Sequence, residues 1–417
     1  MSKNAVVTII SKNYMPFAIT LRDSVLSSNE IDFFTFVIDG DKSYKDTERS
    51  KVISPNEVAI KHFYQRALYF DITEFNTSVK PDVILHLFNE GYESVIYLDP
   101  DIKVYSSLKN IYEKLESDCD FFLTPHILEP IKDDKFPSEI DILKTGIYNL
   151  GFIGCNVRGK NVIEWWSSRL EILGFNDTAS GLFTDQKWID LLPALSDKVY
   201  ISYHRGMNAA YWNLHERRIS DVGGTLFANE HPLVFFHFSG IDVKNPENIS
   251  KYQNRFSLSS RNDIKPIFKE YASEVIKNTN ELHLAYQYKY NYMFDRYIVN
   301  ELTRRLYKRF LDINPEKIDS NPFTDTSSDS FIAWLIKNHL TELGSAKRAW
   351  EEEKVLHKAE DLLKSTYKRQ FAMVSKVFRF LRRFLGEKRY SELLKVLTII
   401  SNTRRGAIIY DEKLRKR

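Results

Sequence analysis

The first half of the chain alternates short apolar runs with helix-like segments, and that alternation restricts the fold more than any other feature. Ala5 to Ile10 reads AVVTII, an unbroken apolar run of the kind expected for a strand covered on both faces. Pro16 to Ser27 follows with helical spacing, and Phe33 to Ile38 (FFTFVI) is a second apolar strand. Val83 to Asn89 is helical and leads through Gly91 into the strand Ser94 to Leu98 (SVIYL). Leu108 to Leu115 is again helical, and Asp120 to Thr124 again a strand. Repeated βα units predict an α/β fold with a mostly parallel sheet. Such sheets bind ligands beyond the carboxyl ends of their strands, so polar residues just after an apolar run are the first site candidates.

After about Asn245 the character changes. Residues 265–310 carry long helical patterns rich in Tyr, Lys and Arg, Asp319 to Ser330 reads as a loop, and the remainder is helical and basic. The expected organisation is an α/β domain over 1–245, a helical accessory region over 246–345 and a basic helical tail over 346–417. From Thr366 to Arg417 there are 15 Lys and Arg against 4 Asp and Glu, a local +11, while the rest of the chain carries 44 against 52, or −8. A basic tail on an acidic body implies an anionic partner surface. Within it, Phe371 to Phe384 (FAMVSKVFRFLRRF) is an amphipathic basic helix by its spacing. It can lie in the headgroup layer of an anionic membrane, or pack on the body with its basic face in solvent. No recognition motif for nucleic acid accompanies the charge, so nucleic acid is not an expected partner.

Only Cys119 and Cys155 are present, which excludes a disulfide framework and a cysteine metal site and points to a reducing, cytoplasmic setting. No stretch approaches the 18 or so apolar residues of a membrane span. The apolar run that ends at Ile10 is too short for a signal peptide and reads as a first buried strand.

Several constellations carry chemistry. Asp99-Pro100-Asp101 directly follows the strand Ser94 to Leu98, and residues two apart in an extended segment point to one side. Both carboxylates could converge on a hard divalent cation, Mg²⁺ or Mn²⁺, or simply make a surface turn. His237, inside VFFHFSG, is either a core histidine or a third metal ligand. Tyr148 to Asn156 (YNLGFIGCN) places amides and glycines in an apolar setting, which suits sugar hydroxyls or a bulged strand. Thr184 or Asp185 can cap the helix that begins near Gln186, and Asn208 to Leu214 (NAAYWNL) can stack on a sugar or fill a loop.

In order, these pieces resemble the GT-A glycosyltransferases, and among them the retaining, glycogenin-like and galactosyltransferase-like group called family 8. The matching motifs are Tyr97-Leu98-Asp99-Pro100-Asp101, Asn149-Leu150-Gly151, Asp185-Gln186, and His237-Phe238-Ser239-Gly240 with Lys244. They cover residues 5–246. Asn208 to Leu214 and the HFSG segment also resemble bacterial surface-polysaccharide glycosyltransferases. The lysine departs from the group's HxxGxxKPW pattern. It stands seven residues after His237, Asn245 separates it from Pro246, and the tryptophan is absent.

The resemblance implies a catalytic domain that binds a nucleotide-diphosphate sugar and transfers a hexose to a saccharide or lipid-linked glycan. Asp99, Asp101 and His237 would hold Mn²⁺ or Mg²⁺; Ser11, Asn13 and Tyr14 would contact the nucleotide; Lys80 and Lys244 would lie near the donor. Asn149, Asp185 and Gln186 would line the sugar pocket, with Gln186 near the reacting carbon. Retention of configuration follows from the resemblance alone. A nucleotidyltransferase is the competing enzyme class, but it would normally show a glycine-rich phosphate loop after the first strand, and Ser11 to Ala18 contains no glycine. A non-catalytic carbohydrate-binding protein on the same fold is the competing binding class.

Overall fold

Seven strands build the central sheet of the computed structural model, which describes residues 3–40, 46–280, 286–341 and 343, with scattered positions between 377 and 393. The first are β1 (Asn4–Ile10), β2 (Asp32–Val37), β3 (Ser50–Ile53) and β4 (Ser94–Leu98). A short strand outside this sheet, β5 (Ile102–Val104), precedes β6 (Phe121–Leu123) and β7 (Phe152–Asn156), and the strand Val199–Ile201 completes the seven. The spatial order is Val199–Ile201, β6, β7, β4, β1, β2, β3. Neighbours run parallel except at β7, which is antiparallel to both β4 and β6. The α/β class and mostly parallel sheet predicted from the sequence are present. β1, β2 and β4 are almost wholly buried, as their unbroken apolar composition requires.

Packing divides the described residues into two units, those of Met1–Lys61 with Ile72–Tyr286, and those of His62–Asp71 with Gln287–Arg417. In the first, the helix Met15–Ser28 lies against β5 and the helix Lys265–Asn278, and the helix Lys80–Asn89 against the helix Lys160–Leu173. Val6, Leu21, Phe33, Ile96, Leu98, Phe122 and Phe152 belong to one apolar cluster beside the sheet. Burying each such side chain contributes about 1.5–3 kcal/mol.

The helical patterns read over 265–310 correspond to two helices, Lys265–Asn278 in the first unit and Glu301–Ile313 in the second. Before Glu301, the strands Tyr292–Met293 and Tyr297–Ile298 pair antiparallel. Phe294 and Asp295, both at φ 54°, make their turn. Asn300 then starts the later helix, its side chain accepting from the Thr303 amide at 2.9 Å. A local cap and a tight turn outweigh the tyrosine-rich periodicity. The helical C-terminal region continues with Phe331–Lys337. The amphipathic segment 371–384 lies outside the described residues except at isolated positions. Among the described residues no helix is long and apolar enough to cross a membrane.

Candidate functional site

The parallel strands β1, β2 and β4 end at one edge of the sheet, and the chain turns there after each. Leaving β4, Asp99 to Ile102 form a turn closed by the Ile102 amide on the Asp99 carbonyl at 3.1 Å. The two aspartates are therefore brought together by a turn between β4 and β5, not by the pleat of an extended strand as the sequence suggested. Pro100 suits that turn because its φ is fixed. A second anchor is the Asp99 amide, which donates to the Gly151 carbonyl at 2.7 Å.

β5 then leaves the central sheet and joins a small one. It pairs antiparallel with the strand Phe235–His237, which also pairs with Ala209–Ala210. The register sets His237 opposite Ile102, and the Phe238 amide donates to the Asp101 carbonyl at 2.8 Å. Two distant segments thus meet at one point. His237 Nε2 lies 2.9 Å from Asp101 Oδ1 and 3.8 Å from Asp99 Oδ2. One ligand atom from each residue falls within 4.8 Å of the other two. Octahedral coordination of a small hard cation sets neighbouring donors about 3 Å apart and opposite ones about 4 Å apart. The donor set, two carboxylates and one imidazole, has the spacing and the chemistry to hold a divalent cation.

Burial shapes the electrostatics. His237 is 3% exposed, while the side chains of Asp99 and Asp101 keep 30% and 19% of their surface. Removal from water raises the Asp99 carboxyl pKa, and the Lys80 and His237 cations offset this only in part. Burial works against charge on His237, but Asp101 and then Asp99 outweigh it, so its pKa is raised. Gly151 is required beside it, because a Cβ there would lie 2.3 Å from His237 Cε1 and 2.8 Å from Asn149 Oδ1.

A second layer supports the aspartates. Tyr97 donates its hydroxyl to Asp99 Oδ1 at 2.7 Å. Lys80, buried at the start of its helix, holds its ammonium 4.0 Å over the Tyr97 ring and 2.7 Å from the Leu150 carbonyl. It also pairs with Asp185 at 2.5 Å, both side chains being almost fully buried. Asp185 therefore does not cap the helix Gln186–Ile189 with its side chain. Thr184 adopts φ 46°, a strained value for a β-branched residue, and donates its hydroxyl to Asp185. The Gln186 amide is engaged at both ends. Its oxygen accepts from the Leu150 amide at 3.0 Å, and its nitrogen donates to the Thr145 carbonyl at 3.0 Å. Gln186 is buried beneath the Asn149–Gly151 segment rather than open to solvent.

Asn149 belongs to a polar cluster that the sequence reading did not foresee. Its Oδ1 accepts from Asn208 Nδ2 at 3.0 Å and from the Gly151 amide at 3.2 Å. Its Nδ2 lies 3.3 Å from Nε2 of His126. His126 Nδ1 meets the Ile147 carbonyl at 3.1 Å, so Nδ1 carries the proton and Nε2 accepts. Burial pushes the His126 pKa down to about 4, and the ring stays neutral near pH 7. Asn208 and Asn213 are fully buried and bonded inside the protein, and Trp212 packs edge-on to His237 at 5.2 Å. The NAAYWNL segment therefore braces the histidine from behind. His126 follows β6 after Thr124 and Pro125, a polar residue beyond a strand end, and that position was the one signal in the sequence for it.

Of the remaining candidates, Ser11 is buried and donates to Asn13 Oδ1 at 2.6 Å just past β1. Tyr14 is 42% exposed and stands where the Asp101 charge reaches its phenol. Lys244 is exposed on a loop, its amide held by Asp242 at 3.0 Å.

No protein-family model matches the chain. A relative in Bacillus subtilis (strain 168), the uncharacterized protein YfnD, is 24% identical over 221 residues, 51% of this chain and 68% of its own length. Among solved structures, the chain is similar to a glycosyltransferase involved in glycosylation of the major capsid of PBCV-1. They share 10% identity and a TM-score of 0.36, over 59% of this chain and 98% of that one. The bifunctional glycosyltransferase WbbM gives 14% identity and 0.41, over 67% and 52%. The galactosyltransferase LgtC, solved with donor and acceptor sugar analogues, gives 14% identity and 0.42, over 66% and 96%.

Proposed function

We propose that the chain is a metal-dependent glycosyltransferase that moves a hexose from a nucleotide-diphosphate sugar to a saccharide or lipid-linked glycan acceptor. The observation that carries this reading is the meeting of Asp99, Asp101 and His237 at the carboxyl edge of a mostly parallel sheet, with one donor atom of each within 4.8 Å of the others. Mn²⁺ or Mg²⁺ held there would neutralise charge on the departing diphosphate. The chain's own residues do the rest. Ser11, Asn13 and Tyr14 border the nucleotide from the end of β1. Tyr97 orients Asp99, and Lys80 with Asp185 fixes the buried floor from which that strand end projects. Asn149 and Gln186 hold the Leu150–Gly151 backbone against the site, so their effect on the sugar is exerted through that segment.

Retention of configuration, a cytoplasmic position at the inner face of a membrane and a part in bacterial surface polysaccharide synthesis complete the proposal. They rest on the motif order and on the basic composition after Thr366. The catalytic assignment covers residues 1–245, followed by an accessory region to 345 and a basic tail. A panel of nucleotide sugars with Mn²⁺, read by release of nucleoside diphosphate, tests the reaction. Release with at least one donor, stopped by EDTA, is expected; no release from any donor sinks the proposal.

A further inference from the structure

The strand Val199–Ile201 is the edge strand of the central sheet beside β6. Its register sets Tyr200 beside Phe122, and the two rings lie 4.8 Å apart at 50°. Phe122 is buried, whereas Tyr200 keeps 37% of its surface. The helix Lys109–Ser117 turns Ile111, Tyr112 and Leu115 into the core. That leaves Asn110, Glu113, Lys114 and Ser117 on its outer face, at i, i+3, i+4 and i+7. Between this polar stripe and Tyr200 lies a cavity of about 380 Å³, within the roughly 300–1,000 Å³ usual for small-ligand clefts. Ser202, His204 and Met207 line its other wall. The His204 amide donates to Ser202 Oγ at 3.2 Å and the Met207 amide to the His204 carbonyl at 3.0 Å, which holds that wall in a turn.

The chemistry of the lining selects a class of ligand. Lys114 Nζ lies 2.7 Å from Asp118, and Lys109 Nζ lies 3.5 Å from Glu113, so both carboxylates already face a lysine. The cavity therefore has no surplus positive charge to draw a phosphate or a nucleotide. An uncharged ligand with an apolar face and a rim of hydroxyls fits what remains. Tyr200 supplies an aromatic ring, its centroid 5.1 Å from Lys114 Nζ. Asn110 and Ser117 both donate and accept, and Glu113 and Asp118 accept. A pyranose has the matching shape, with C–H groups on its faces and hydroxyls around its edge. The cavity is separate from Asp99, Asp101 and His237, but it adjoins the segment beside them. The Ser202 amide donates to the Leu123 carbonyl at 2.9 Å and the Asn149 amide to the Thr124 carbonyl at 3.0 Å. The two segments thus flank the end of β6, about 10 Å apart by strand spacing. Met207 precedes Asn208, whose side chain donates to Asn149 Oδ1 at 3.0 Å.

We propose that this cavity is a second, saccharide-binding site, which holds an uncharged stretch of glycan by stacking it on Tyr200. It goes beyond the transfer reaction proposed above and needs no metal. Maltopentaose, cellopentaose, mannopentaose and galactopentaose are each titrated into the full chain by calorimetry, in EDTA and without nucleotide. At least one is expected to bind. For that one, Tyr200→Ala should weaken binding about tenfold through loss of a covered ring face, and Tyr200→Phe should bind as the unmodified chain does. Tyr200 also packs on Phe122, so the exposed pair Asn110→Ala with Glu113→Ala serves as a second variant that leaves the sheet untouched. It should weaken binding at least about fivefold, the size of one or two lost hydrogen bonds. If none of the four saccharides binds, the assignment is overturned while the metal site stands. It is overturned equally if a saccharide binds and both cavity variants hold it as tightly as the unmodified chain.

Discussion

Gly151 and His237 are in such close apposition that a single added carbon would displace the imidazole, since a Cβ on Gly151 would lie 2.3 Å from Cε1 and 2.6 Å from Nδ1 of His237. The same glycine offers its carbonyl to the Asp99 amide. One backbone position thus sets the distance between the imidazole and the first aspartate. Gly151→Ala should leave the fold intact, with a loss of about 1–3 kcal/mol from overpacking. It should lower Mn²⁺ affinity at least about tenfold, as displaced supporting groups do at metal sites. Thermal melts and electron paramagnetic resonance titration separate the two effects. Unchanged Mn²⁺ affinity would place the imidazole outside the coordination sphere.

Asp101 is the candidate ligand nearest to His237, at 2.9 Å, and its replacement is the most direct test of the proposed centre. Asp101→Asn should abolish turnover and lower Mn²⁺ affinity by more than about 100-fold, beyond what loss of an outer-layer partner costs. The circular dichroism spectrum should be that of the unmodified chain. Activity near the original level would refute the metal assignment.

If His237 ligates the proposed cation, protons and metal would compete for its imidazole. Its pKa is raised because Asp101 and Asp99 outweigh burial, and only the neutral imidazole can ligate a cation. Mn²⁺ binding should therefore release a proton and weaken as the pH falls through that raised pKa, approaching about tenfold per pH unit below it. His237→Asn should flatten the dependence. A binding constant that stays level between pH 8 and pH 5 would contradict ligation by this residue.

Lys80 and Asp185 form a buried ion pair at 2.5 Å. Removing one partner strands the other charge away from water, so Asp185→Ala should destabilise the chain by about 3–5 kcal/mol. The paired replacement Lys80→Met with Asp185→Leu should recover most of that, because two apolar side chains leave no uncompensated charge. Urea denaturation of the single and paired variants measures it. Equal destabilisation by both would show that the pair does not act as a unit.

Strands β1, β2, β4 and β6 and the helices Met15–Ser28, Lys80–Asn89 and Lys109–Ser117 were legible because those strands are solid apolar runs and those helices keep their period. The helices Phe63–Tyr69, Ile72–Ser78, Glu139–Thr145 and Lys160–Leu173 were not read. Ser94 to Leu98 was read to the residue. β3 and β5 were not legible. Ser50–Ile53 (SKVI) mixes polar with apolar positions, and Ile102–Val104 is three residues long. The three metal-ligand candidates were found by residue type and order, but the reason they meet was hidden. A three-residue pairing between β5 and Phe235–His237 leaves no periodic trace. The environment of each side chain was hidden for the same reason. Asp185 reads as a helix cap and is an ion-pair partner of a buried lysine. Asn208 and Asn213 read either as sugar contacts or as loop filling, and are internal braces. Both distinctions depend on what lies across space.

The small sheet that joins β5 to Phe235–His237 acts as a caliper, because side chains alternate sides along each strand. A slip of one residue in that pairing would swing the imidazole to the opposite face and leave the two carboxylates alone. A cation bound by all three would in turn lock the register, since it favours only the correctly paired state. Metal and sheet would then reinforce each other, and stripping the cation should loosen residues 235–240 before it disturbs β1, β2 or β4.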